Sequence, residues 1–108
     1  MPLLIATVTA TVAATLATTV ALALTPVESA DVRCVAVIGV AARADPSLKR
    51  PGAEFAARVG AGIIDRTKAT REQVGTVMLQ AGMRAIATPV DPAERLRCTT
   101  RMAEVLIG

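Results

Sequence analysis

The sequence predicts an all-α protein: a small four-helix bundle stapled by one disulfide, after an N-terminal signal segment. Three observations carry this expectation. Of the chain's 108 residues, none before Glu28 has a charged side chain, and Leu3 to Leu24 is almost entirely Leu, Ile, Val, Ala and Thr. Beyond that lead, apolar residues recur at helical spacing between helix-cap signatures. Cys34 and Cys98 are the only cysteines, and they sit near the two ends of what remains.

A secretory signal has a basic start, an apolar stretch of about 7–15 residues and small residues before its cleavage site, whereas a spanning helix needs about 20 apolar residues. The 22-residue run from Leu3 to Leu24 lies between the two. It is long for a signal, while Thr7, Thr9, Thr11, Thr15, Thr18 and Thr19 weaken it as a permanent anchor. Pro26 then breaks the helical pattern, and Val27 and Ser29 are small enough for the −3 and −1 positions of a cleavage site. Residues 1–29 are therefore expected to be a signal peptide and residues 30–108 a helical domain, periplasmic or secreted. No Lys or Arg precedes the apolar run, so orientation by the positive-inside rule has little to act on. An uncleaved anchor, associating with the membrane through residues 3–24, is the alternative; a translation start elsewhere would also account for the missing basic residues.

The helical part needs a staple. Domains of this size bury small cores, and Phe55 is the only aromatic residue. Two cysteines in an exported chain form one possible internal pair, and a Cys34–Cys98 bond closes a loop of about 65 residues, which the chain-entropy treatment values at about 4 kcal/mol. A redox pair would instead call for close spacing or a lowered thiol pKa.

Four helices are expected in order. The first, about Asp31 to Ala44, is nearly all apolar and should lie centrally. Periodicity alone also allows a buried strand over Cys34–Val40, but the chain offers no partner strand. A turn through Asp45-Pro46-Ser47 and Lys49-Arg50-Pro51-Gly52 leads to the second, about Ala53 to Thr67, where Phe55, Val59 and Ile63 repeat at four-residue spacing opposite Glu54, Arg58 and Asp65. Gly60 and Gly62 cost helix propensity, so close packing is expected there. The third opens on Thr70-Arg71-Glu72-Gln73, a capping box, and runs to about Ala87. Its face of Val74, Val77, Met78, Ala81 and Ala85 is widened by Leu79, Met83 and Ile86, so the helix should be largely buried. The fourth opens on Asp91-Pro92-Ala93-Glu94, with an N-cap, proline at the first position and an early glutamate. Its expected apolar face is Leu96, Thr99, Ala103, Leu106 and Ile107, with Cys98 at the edge and a polar stripe of Glu94, Arg97, Arg101 and Glu104.

Glu54-Phe55, Arg58, Asp65 and Thr70-Arg71-Glu72-Gln73-Val74, between Arg33-Cys34 and Cys98, resemble the pattern of small exported helical proteins of alphaproteobacteria with no assigned function. The resemblance covers most of the helical part and implies an exported helical domain, with no catalytic residue carried over. The plan of signal, helices and one disulfide is also similar to the small periplasmic acid-stress chaperones, which are rich in acidic residues.

Chemistry is sparse. All 12 Lys and Arg, and eight of the nine Asp and Glu, lie beyond Ala30, a net charge of +4. Such a bias suits weak attraction to anionic lipid, lipopolysaccharide or acidic protein. Nucleic acid is not expected, since there are no stacking aromatics and no basic run longer than Lys49-Arg50. The chain has no histidine, the commonest general base and metal ligand, and two distant cysteines do not make a zinc site. Ser47 has no base beside it in sequence, Gly60-Ala61-Gly62 is no phosphate loop, and Asp91 and Glu94 are accounted for by capping. Arg95, Arg97 and Arg101 are candidates for binding an anion, against a solvated face with an Arg101–Glu104 pair. No catalytic, cofactor-binding or metal residue is expected. Two readings stay open: a non-enzymatic exported binding or interaction module whose partner is an unknown protein or envelope component, and an inhibitor-like or enzyme-accessory protein. A large exposed apolar groove would favour the binding of lipid or peptide, and a closed core with a flat polar surface the inhibitory part.

Overall fold

The computed structural model describes residues 22–108, so the expected signal segment lies outside the described residues as far as residue 21. Among the described residues there are four α-helices and no strand: α1 (Pro26–Ala44), α2 (Lys49–Thr67), α3 (Arg71–Ala87) and α4 (Pro92–Ile107), with a 3₁₀ turn at Pro46–Leu48 between the first two. Helix α1 packs against all three others, and α2 also touches α3 and α4, while α3 and α4 do not meet. The Val-rich run of α1 is thus a central helix, as expected. It supplies Val37 and Ile38 to a core completed by Phe55, Ile63, Val74, Cys98 and Met102.

Helix α1 begins five residues before the expected Asp31. Thr25 Oγ1 accepts the Glu28 N–H at 3.1 Å, and Glu28 Oε1 accepts the Thr25 N–H at 2.9 Å, a reciprocal cap with Pro26 at the first helical position. The residues read as a cleavage region are therefore a helix start. Glu28 is also gripped by Arg66 near the end of α2, whose Nε donates to its carboxylate at 2.7 Å. Arg66 Nη2 donates to the Ala23 carbonyl at 2.8 Å, and Leu22 and Leu24 pack against the core. The boundary expected between Ser29 and Ala30 falls inside α1.

Helix α2 starts at Lys49, four residues before the expected Ala53. Pro51 does not prevent this, because the first turn of a helix has no use for its missing N–H. The close approach expected of Gly60 and Gly62 occurs instead at Gly52, where an added Cβ would lie 2.9 Å from Ile38 Cγ2. Gly60 is buried against Val74 and Met78 with room for ordinary contact, and Gly62 faces open space. The helix ends at Lys68, which takes the left-handed conformation (φ 60°) usually left to glycine.

Two expected faces are corrected. Helix α3 is capped as read, Thr70 with Gln73, and turns Val74, Val77, Met78, Ala81 and Ala85 inward. Leu79, Met83 and Ile86, however, are 67%, 62% and 57% exposed, so the helix is only half buried: among the described residues it has neighbours on α1 and α2 and none on its outer flank. Helix α4 is rotated from the expected face. Cys98 and Met102 are its buried residues, whereas Leu96 and Ile107 are 67% and 87% exposed. Its supposedly solvated stripe faces α1. Arg33 on α1 donates two hydrogen bonds to Glu94, at 2.9 and 3.2 Å, and Arg101 donates two to Asp31, at 2.8 and 3.1 Å. Between these pairs lies the Cys34–Cys98 disulfide, with Cα atoms 4.9 Å apart.

The disulfide spans 64 positions of sequence, and reducing it, or Cys98→Ala, is expected to lower the unfolding free energy by about 2–5 kcal/mol. Chemical denaturation of both forms measures this; coincident midpoints would mean that the core stands without its staple. A second expectation concerns acid. The hydrogen bond from Arg66, followed by that from the Thr25 N–H, lowers the Glu28 carboxyl from 4.5 to about 2. A depressed carboxyl stabilises the fold fully above its unfolded pKa and loses that contribution as pH falls through the folded value. Glu28→Gln should therefore be less stable than the parent at neutral pH, and the gap should shrink below pH 4.5 and close near pH 2, as read from urea midpoints across that range. A gap independent of pH would show that Glu28 acts without its charge.

Candidate functional site

Because α3 and α4 do not meet, α1 keeps one open flank between them. Along the C-terminal half of α1 this flank is a groove of about 500 Å³. Val37 and Ala85, 1% and 2% exposed, form its floor. Val40 and Ala41 of α1 face Ile86 of α3 across it, Pro89 and Val90 of the α3–α4 loop close one end, and Arg95 of α4 stands at its rim. The walls are apolar because α1 is apolar on nearly every side, yet it has only three neighbours to cover it. A second depression of about 560 Å³ lies between α2 and α3, lined chiefly by small residues such as Ala57, Gly60 and Gly75, with Asp65 and Arg71 beside them.

The electrostatics of the groove centre on Arg95. Its Nη2 lies 3.8 Å from Asp45, beyond hydrogen-bond range, and it donates no hydrogen bond among the described residues. Asp45 is occupied elsewhere, accepting from the Ser47 N–H at 3.1 Å and from its hydroxyl. These bonds, more than Arg95, hold its carboxyl below the usual range. The guanidinium fork of Arg95 is thus largely unspent at the mouth of an apolar slot.

The candidates from sequence are dispersed. Cys34 and Cys98 are joined to each other. Arg101 is engaged by Asp31 and, at 3.6 Å, by Glu104, so the three arginines of α4 do not form one anion site. Asp91 caps α4 through the Ala93 N–H at 3.0 Å. Glu94 is drawn to Arg33 rather than to the cap, and that pairing lowers its pKa. Ser47 serves the Asp45 turn. The groove was not foreseen; the signal for it was the excess of valine and alanine on α1 over what its neighbours cover.

Among the described residues no cluster of three or more metal-ligating side chains occurs, and no helix is long and apolar enough to cross a membrane. The disulfide is compatible with an oxidising compartment. Compared with known proteins, the chain matches no family model, no curated protein and no solved structure.

Proposed function

We propose that this protein is a non-enzymatic binding module acting outside the cytoplasm, in the periplasm or as a secreted protein, and that the α1–α3–α4 groove takes the apolar part of its ligand. The observation that carries the reading is the groove itself: a mostly apolar slot with a buried floor, in which Thr88 and Arg95 are the polar side chains, which is the usual make-up of a small-molecule site. The open slot favours binding over the inhibitor-like reading, which a closed core and a flat polar surface would have suited. Export is supported by the uncharged lead and by the disulfide, which persists in oxidising compartments.

Binding is tested with the neutral fluorophore N-phenylnaphthylamine. The parent should raise its fluorescence and shift it to the blue. Ala41→Trp, which fills the slot, should remove that response, while Ala57→Trp, in the α2–α3 depression, should keep it. No response in the parent, or loss in the second variant alone, would overturn the assignment.

The start of α1 constrains how a leader is removed. Cutting after Ser29 would delete Thr25 and Glu28, and with them the helix cap and the Arg66 ion pair. Ala21-Leu22-Ala23 offers small residues at −3 and −1; a cut there gives up the Arg66 bond to the Ala23 carbonyl and the Leu22 contact but keeps Thr25, Glu28 and the cap they form. The intact mass of the exported protein is therefore expected to begin at Leu24; a chain beginning at Ala30 would overturn this placement.

A further inference from the structure

We infer that the ligand of the groove is a single-chain amphiphile with an anionic carboxylate head, its hydrocarbon chain between Val40, Ala41 and Ile86 and its head on the Arg95 guanidinium. This rests on the groove reading above and adds the chemistry of the occupant. Three observations support it. The slot is lined largely by small and aliphatic side chains: alanines at 41, 44, 85 and 87 take part in its lining and no aromatic does, which suits a hydrocarbon chain. Each methylene it takes from water is worth about 0.8 kcal/mol.

The second observation is the state of Arg95. Its side chain is 46% exposed, with Asp45 its nearest carboxylate at 3.8 Å. A guanidinium presents five N–H donors in a fork that matches a carboxylate edge to edge, so a head group arriving at the mouth of the slot meets donors that make no hydrogen bond to protein among the described residues. The third is the surrounding charge. Arg43, in the last turn of α1 beside the Ala44 end of the slot, and Lys49 and Arg50, which open α2 after the turn, have no carboxylate within ion-pair distance among the described residues. Against these three cations and Arg95 stand two carboxylates at this end, Asp45, which Ser47 holds through two hydrogen bonds, and Asp91, which caps α4 through the Ala93 N–H. The local balance favours an anion over a cation or a neutral head.

A protein partner is the competing occupant. A helix or a second copy of the chain would find its large apolar contacts on the outer stripe of α3, at Leu79 and Met83, neither of which lines the slot.

The test uses the full folded protein and three ligands of equal chain length, decanoate, decanol and decyltrimethylammonium, each displacing N-phenylnaphthylamine. Decanoate should bind about tenfold more tightly than decanol, the effect of a charge-assisted hydrogen-bond pair, and decyltrimethylammonium most weakly. Arg95→Gln should bring decanoate down to the level of decanol and leave decanol unchanged. Arg97→Gln removes the same charge from the same helix away from the slot and should preserve the preference. If decanol binds as tightly as decanoate, or if Arg97→Gln erases the preference as fully as Arg95→Gln does, the head-group inference fails while the groove stands. If no ligand displaces the probe and Ala41→Trp changes nothing, both readings fail together.

Discussion

The clamp between α1 and α4 is the constraint on which the rest of the structure depends. Two bidentate ion pairs, Arg33–Glu94 and Arg101–Asp31, flank the Cys34–Cys98 bond within a few turns of both helices. Their contributions are unequal. Partly exposed ion pairs are worth about 0–1 kcal/mol, whereas closing a loop of this length is worth about 4 kcal/mol. The disulfide therefore supplies most of the stabilisation and, by holding Cys98 against Cys34, fixes the rotation of α4, with which the two ion pairs agree. With Cys98 and Met102 turned inward, Leu96 and Ile107 turn out.

The far ends of the helices are tied by backbone capping more than by packing. Arg58 on α2 donates to the Val105 carbonyl at 2.9 Å and to the Leu106 carbonyl at 3.3 Å, satisfying acceptors that the end of α4 leaves without intrahelical partners. Arg66 does a matching service at the same end of the bundle, joining α2 to the start of α1 and to the chain that enters it. Arginine suits both tasks because its fork reaches a carboxylate and a carbonyl together. This accounts for several of the basic residues as structural. It also leaves Arg95 conspicuous, as a partly exposed arginine beside an apolar slot with no such task.

Much of this fold was legible in the sequence, and the misreadings share a cause. The helix count, the central place of α1, the Thr70–Gln73 and Asp91 caps and the disulfide follow from local chemistry or from having only one possible pairing. The start of α1 was misread because Thr25-Pro26-Val27-Glu28 satisfies two descriptions at once, a leader's end and a capping box. Only the tertiary contact from Arg66 to Glu28 favours the second. The faces of α3 and α4 were misread because hydropathy says which residues prefer burial and not how many neighbours a helix will have. Helix α3 has three large apolar side chains more than its two contacts cover. On α4, the bond from Cys98 to Cys34, with the ion pairs beside it, chooses the inward side over the apolar pattern. The groove is a gap between elements, and its only trace in the sequence is the excess of valine and alanine on α1.

The groove and the clamp arise from the same shortage. A core whose only aromatic is Phe55, and whose other large side chains are a few Ile, Leu and Met, cannot fill the space around a central helix on four sides. Helices α2, α3 and α4 cover three of them. The Cys34–Cys98 bond holds α4 against α1 with the two Cα atoms 4.9 Å apart, and the Arg33–Glu94 and Arg101–Asp31 pairs join the same two helices. Among the described residues nothing of the kind ties α4 to α3, and the slot lies along that untied seam.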